Sequence, residues 1–210
     1  FVEGADFRFG KGRAGDIEGL RAIGNARGFA VEVVPAVEVS LQDHTLVRVS
    51  SSLARWLIAR GRMRDARALL GRAYELEGIV EKGDQRGRQI GFRTANLTVD
   101  PSVQLPGDGV YACTATVHAN DAPSAWRTAP AMVNLGKRPT FRGLHRTIEA
   151  HVLDDSAMAG LPEYGYAMTL AFEGWIRDQV RFESVSALVA QLGRDRERVT
   201  DMLRTPTIPR

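Results

Sequence analysis

Along the chain the spacing of apolar residues changes once, near Tyr74. Before that point helical periods predominate. In "DIEGLRAIGNARG", Ile17, Leu20 and Ile23 recur at helical spacing, with Asp16 placed to cap the start and Gly28 to stop the end. "FAVEVVPAVEV", 29–39, reads as a strand. In "VSSSLARWLIARG" the serines can cap a helix that has Leu53, Trp56 and Leu57 on one face and Gly61 as its end. "DARALLG" predicts a second short helix from Asp65 to Gly71. The opening 72 residues therefore read as α/β.

From Tyr74 the period is two. "YELEGIVEK" alternates, and so does "GVYACTATVH" (109–118), where Tyr111, Cys113, Ala115 and Val117 share a face. "APAMVNLG" (129–136), "RTIEAHVLD" (146–154) and "AMTLAFEGW" (167–175) read the same way, and "LPGDG", "GKRPTFRG" and "GLPEYG" supply the turns. Short strands without intervening helices predict a closed antiparallel barrel, which leaves no exposed edge. From Ser184 to Leu203 the pattern returns to helical, with Val185, Leu188, Leu192, Val199 and Met202 forming one apolar face for packing on the barrel. "RTPTIPR" cannot continue that helix.

Composition narrows the class. Of 210 residues, 44% are hydrophobic, enough for a substantial core, yet no run approaches the ~20 apolar residues of a membrane span. No signal-peptide pattern is present, and Cys113 is the single cysteine, so no disulfide framework exists. These features predict a soluble, cytoplasmic protein without a membrane partner. The net charge of +3 comes from a mixed surface of 28 basic and 25 acidic residues. The basic run at 56–72 lies on helical periodicity and reads as a solvated face. Aromatic residues are 7% of the chain, and no strand alternates them outward, so a nucleic-acid partner ranks last.

Candidate chemistry is sparse. His44, His118, His145 and His151 have no metal-binding helical spacing, and no serine sits in a nucleophile elbow. "GKGRAG" (10–15) lacks the ending of a phosphate-binding Walker loop and reads as a turn into the helix at 16. "EKGDQRGRQIGFRTAN" is richer. Gly83, Gly87 and Gly91 let backbone N–H groups approach phosphate oxygens. Thr94 and Asn96 offer hard neutral oxygens to a magnesium ion, and on an extended backbone they point to one side. An ordinary hairpin whose Thr and Asn satisfy local backbone groups fits the same spacing. On "RTIEAHVLD", Ile148, Ala150 and Val152 should face the core, leaving Glu149 outside but among apolar segments. That setting suits a general base and equally a surface carboxylate.

Taken together, the ordered motifs resemble the bacterial bifunctional riboflavin kinase/FAD synthetase family. "LLGRAYELEGIVEKGDQRGRQIGFRTANL", "LPGDGVYA", "VNLGKRPTF", "IEAHVLD", "EYG" and "WIRDQVRFESVSALVAQLGRD" are similar to its riboflavin kinase module, here 71–205. "GADFRFGKGRAGD" and "VSSSLARWLIARG" resemble the end of the adenylyltransferase module, a partial Rossmann-like α/β segment over 1–70. The resemblance implies a six-stranded antiparallel barrel with a C-terminal helix. It implies phosphoryl transfer from ATP to riboflavin, giving FMN, with Mg²⁺ as cofactor. The family's Pro-Thr-Ala-Asn motif falls on 93–96, so Thr94 and Asn96 would hold the metal and the ATP phosphates, and Glu149 would be the base. Gly83, Arg88 and Gly91 would border ATP. Gly136, Pro139 and Thr140 would face the reacting groups, and Arg177 and Phe182 would close over the flavin ring. Ser50, Ser51 and Arg55 match the adenylyltransferase serine–serine–x–x–x–Arg signature.

Two departures qualify these implications. Arg93 stands where the motif has proline, so the fixed φ that proline provides is absent. The chain contains no HxGH sequence, the adenylyltransferase phosphate-binding motif, so FAD synthesis is not expected of it. A non-catalytic flavin- or nucleotide-binding barrel is the alternative reading.

Overall fold

The computed structural model describes residues 1–83, 87, 90–119, 122–140 and 143–204, and Cα proximity divides the chain into two compact units, Phe1–Ser50 and Ser51–Arg210. In the first unit, β1 (Val2–Gly4) pairs in parallel with β2 (Glu32–Val34), and helix α1 (Ile17–Arg27) makes the crossover. The helix is bounded where the sequence predicts. The Asp16 carboxylate accepts the Gly19 N–H at 2.9 Å, and Gly28 ends the helix at φ 79°. "GKGRAG" forms a 3-10 turn at Lys11–Arg13. The strand expected over 29–39 is instead two. Pro35 has no N–H to donate, so pairing stops after β2 and resumes in β3 (Glu38–Ser40), which lies antiparallel to β4 (Leu46–Arg48).

The second unit opens with α2 (Ser51–Ala59) and α3 (Met63–Leu70). The buried face of α2 is Ala54, Leu57 and Ile58 rather than Leu53, Trp56 and Leu57. Trp56 is 46% exposed, with the Arg60 guanidinium 5.1 Å from its ring centre. An indole so placed is covered by its own neighbour one turn on, which periodicity cannot distinguish from burial in the core. Helix α3 packs against the barrel, where Arg67 pairs with Glu173.

Six strands close the barrel: β5 (Tyr74–Glu81), β6 (Ala95–Val99), β7 (Gly109–Ala119), β8 (Ala122–Thr140), β9 (Gly143–Val152) and β10 (Ala167–Arg177). Their order is β10-β5-β6-β9-β8-β7, and β7 pairs back to β10, antiparallel throughout. The period-two residues fill the interior as expected: Tyr111, Cys113, Ala115 and Val117 from β7, Ile148 and Ala150 from β9, Met168, Leu170 and Phe172 from β10. Tyr111 and Phe172 meet edge to face at 5.3 Å. Burial pushes the Tyr111 hydroxyl up to about 12, and it donates to the Gly107 carbonyl at 2.7 Å.

The first outward residues of β7 are buried too. Val110 and Ala112, with Met132 and Ile176, pack beneath Val199 of the C-terminal helix α4 (Val185–Arg204). Ser184 caps that helix, its hydroxyl accepting the Ala187 N–H at 3.1 Å. Val185 departs from the expected apolar face. It is 62% exposed and lines a cavity.

Ladder lengths differ around the barrel. The β7–β8 ladder runs from Gly109↔Leu135 to Ala119↔Ala122, whereas β6 meets β9 at Ala95↔Ala150 and Asn96↔Glu149 alone among the described residues. This short seam positions the site.

Candidate active site

Register assembles the polar residues. Asn96 of β6 and Asn134 of β8 both lie opposite Glu149 of β9, so three neighbouring strands set an amide, a carboxylate and an amide in one row. Directly opposed residues hold their Cβ atoms about 5 Å apart. Glu149 lies on the face opposite Ile148 and Ala150, outside the packed interior, and its Oε1 is shielded from solvent. Thr94 immediately precedes β6, two residues before Asn96, and points to the same side. Thr94, Asn96 and Glu149 thus line a single cavity of about 870 Å³ together with Arg177 and Phe182. More than fifty residues separate Asn96 from Glu149 along the chain, and strand pairing brings them together.

Two glycines make the row possible. A Cβ on Gly83 would fall 2.0 Å from the Asn96 amide nitrogen, so only hydrogen at this position lets the 83 backbone lie against that side chain. A Cβ on Gly136 would fall 1.9 Å from Gln179 Nε2. The Gln179 amide occupies that space and donates to Asn134 Oδ1 at 2.8 Å. Gly91, at φ 79°, lines a second cavity of about 530 Å³ with Arg93, Tyr164 and Tyr166. Burial raises the Tyr166 hydroxyl above its ordinary value, and the Arg93 charge partly offsets this. The two cavities share Phe92, Thr94 and His151 as a common wall.

The far side of the larger cavity is held from α4. Asp195 is fully buried and receives Arg177 Nε and Nη2, with Nη2 at 2.8 Å, and Gln191 Nε2 at 2.8 Å. Arg177 Nη1 donates to the Asp178 carbonyl at 2.8 Å, and the guanidinium carbon lies 5.7 Å from the Phe182 ring centre. These contacts tie the cation to Asp195 and to the 178–182 segment while it lines the cavity. A buried carboxylate with this many donors carries its own partner set, which explains an acidic residue on the covered side of a helix.

A family model described as "Flavokinase: Riboflavin kinase" matches residues 70–203. The chain belongs to the riboflavin kinase family. Bifunctional riboflavin kinase/FMN adenylyltransferase of Escherichia coli (strain K12) is 34% identical over 192 residues, covering 91% of this chain and 56% of that protein. The protein of the same description from Bacillus subtilis (strain 168) is 31% identical over 199 residues, covering 93% and 58%. The chain thus spans somewhat over half the length of these curated relatives. Riboflavin kinase from Trypanosoma brucei superposes with a TM-score of 0.51 at 26% identity, over 65% of this chain and 83% of that one. A Streptococcus pneumoniae structure titled as a macrolide-efflux protein superposes with a TM-score of 0.74 at 31% identity, over 94% and 59%. Among the described residues of this chain, no helix is long and apolar enough to cross a membrane.

Within the family's motifs, the remaining expected residues fall as follows. Pro139 and Thr140 end β8, opposite Leu144 and Gly143 in the β8–β9 hairpin. Arg88 lies outside the described residues. Ser51 and Arg55 sit on α2, Ser50 precedes it, and none of the three lines either cavity. Sequence reasoning missed Asn134, Lys137, Gln179 and His151, all of which line the larger cavity. For Asn134 a signal existed, since "VNLG" lies in a predicted strand whose outward positions include it. For Gln179 the only signal is its place between Arg177 and Phe182.

Proposed function

We propose that the chain is a riboflavin kinase, transferring the γ-phosphate of ATP to the ribityl 5′-hydroxyl of riboflavin to give FMN and ADP. The observation that carries this reading is the convergence of Thr94, Asn96 and Glu149 on one cavity through the β6–β9 register. The larger cavity, flanked by Phe182 and the apolar side chains of Met132 and Leu192, suits an isoalloxazine ring. The smaller cavity, with Tyr164 and Tyr166, suits the nucleoside of ATP. The shared wall at Thr94 is then where the phosphate chain passes from one to the other.

Thr94 and Asn96 are hard, neutral oxygen donors, which fits a magnesium ion that keeps phosphate and water among its ligands. The fit is tightened by Gly83, whose missing side chain leaves the Asn96 amide its place. Bound there, Mg²⁺ would neutralise triphosphate charge. Glu149 accepts the proton of the 5′-hydroxyl as the new oxygen–phosphorus bond forms and the bond to the ADP oxygen breaks. Holding the hydroxyl in line with that bond is the larger part of the catalysis.

Residues 1–70 are read as part of an FMN adenylyltransferase module. Support comes from the relatives, whose similarity extends beyond the 70–203 match, and from the parallel β1–α1–β2 crossover. The partners are small molecules rather than nucleic acid, and the setting is the cytoplasm. The test is incubation with riboflavin, ATP and Mg²⁺, followed by chromatographic separation of FMN from FAD. FMN without FAD is expected. Flavin binding with neither product would favour the non-catalytic reading, in which Arg93 has ended turnover.

A further inference from the structure

The segment carrying Thr94 lies beyond the ladder that holds its neighbour. Pairing of β6 with β9 ends at Ala95↔Ala150, so backbone hydrogen bonds to β9 do not extend to residues 92–94. Position 93 is an arginine, free in φ, where the family motif carries proline. Something other than the ladder or a fixed dihedral must hold Thr94 in relation to Glu149.

His151 is placed to do so. It follows Glu149 by two residues on β9 and shares its face. Its Nδ1 lies 2.7 Å from the Arg93 carbonyl oxygen. A carbonyl only accepts, so Nδ1 carries the hydrogen. The imidazole also packs on Phe92, ring centres 5.1 Å apart and tilted by 57°. One side chain therefore grips two consecutive residues of the segment, one by a hydrogen bond and one by ring contact, one step past the end of the ladder.

We propose that His151 is a positioning residue: by holding Phe92 and the Arg93 carbonyl it fixes Thr94 relative to Glu149, which stands on the same strand. This rests on the riboflavin kinase reading for its kinetic consequence, but not for its structural one. Both the neutral Nδ1–H tautomer and the imidazolium can make the contact.

The test uses His151→Phe, which keeps a ring against Phe92 and removes the donor, and His151→Asn, which keeps an amide donor near Nδ1. In His151→Phe we expect kcat/KM for MgATP to fall by about fivefold to tenfold, shared between a higher KM and a lower kcat, the scale of one lost hydrogen bond. The riboflavin dissociation constant should change by a smaller factor than KM for MgATP. His151→Asn should recover most of the loss, and in an Arg93→Pro background the cost of His151→Phe should shrink below threefold. Kinetics within twofold of wild type for His151→Phe would overturn the proposal. So would equal losses in the Phe and Asn variants accompanied by weakened riboflavin binding. Amide hydrogen exchange of the 90–96 peptide, measured without substrates, separates this idea from the functional reading. Faster exchange in His151→Phe, restored in His151→Asn, supports the clamp even if no FMN is formed, and unchanged exchange overturns it whatever the activity.

Discussion

On one side of the barrel β7 is paired along its whole length and, in its first half, buried on both faces, by the interior at Tyr111 and Cys113 and by α4 at Val110 and Ala112. On the other, β6 meets β9 over two residue pairs, and the face outside them is a cavity lined by Thr94, Asn96 and Glu149. Full pairing and two-sided burial close the wall at Ala112 and contribute apolar area that stabilises the fold, and only Val110, at the strand's start, also reaches the cavity. A ladder that stops early leaves the polar face of its last residues open to a substrate. The barrel thus separates the residues that keep it folded from those that would do chemistry. Substitutions in the wall should cost stability, and those at the seam turnover.

The largest effect should come from the wall. Phe172→Ala empties a fully buried site beside Tyr111 and should destabilise the unit by about 3–5 kcal/mol, read as a fall in the urea midpoint. FMN formation per folded molecule should change little, and loss of activity with the midpoint unmoved would break the division. Next, Glu149→Gln should reduce kcat by about a hundredfold or more, the scale of a lost general base, with riboflavin binding and melting temperature nearly unchanged. A rate within threefold of wild type would remove Glu149 from that role.

Tyr111 gives a pH-dependent test of the wall. Burial pushes its hydroxyl from 10 to about 12, so between those values the unfolded chain loses this proton first. The neutral hydroxyl's stabilisation is whole below pH 10 and is lost as pH rises toward 12, on the order of 2–3 kcal/mol in all. Tyr111→Phe should be less stable than wild type at pH 8, through loss of the bond to Gly107, yet flatter in stability from pH 10 to 12. Parallel curves would show that another group governs alkaline unfolding. The smallest effect is expected at an exposed contact beside the seam. Thr98→Val removes the hydroxyl that donates to Glu81 Oε2 at 2.8 Å, and should change stability by only about 0.5 kcal/mol and KM by less than twofold. A tenfold kinetic loss would sharpen the comparison by tying the seam's geometry to β5.

Much of this architecture is legible in single-element patterns. Asp16 and Gly28 bound α1, and alternation at Tyr111–Val117 and Met168–Phe172 marks interior strands, because these features depend on neighbours a few residues away. What the patterns miss depends on distant partners. Val110 and Ala112 read as outward until α4 covers them. Asp195 reads as a solvated helix residue until Arg177 reaches it from β10. Trp56 and Val185 read as core because periodicity assigns faces without saying what lies opposite. Thr94, Asn96 and Glu149 were nameable from motif resemblance, but their meeting is a fact of register, which no local spacing encodes. His151 and Gln179 act through contacts with Arg93 and Asn134, 58 and 45 residues away, which no local spacing announces.

The common wall of Phe92, Thr94 and His151 has a thermodynamic corollary. If the proposed nucleotide and flavin cavities are filled in turn, a molecule that immobilises these side chains from one side would meet part of the entropic cost for one arriving from the other. Linkage then makes the benefit mutual: whatever factor the first ligand adds to the second's affinity, the second returns to the first. Two substrates that never touch except at the transferred phosphate would sense each other's presence through a partition three residues wide.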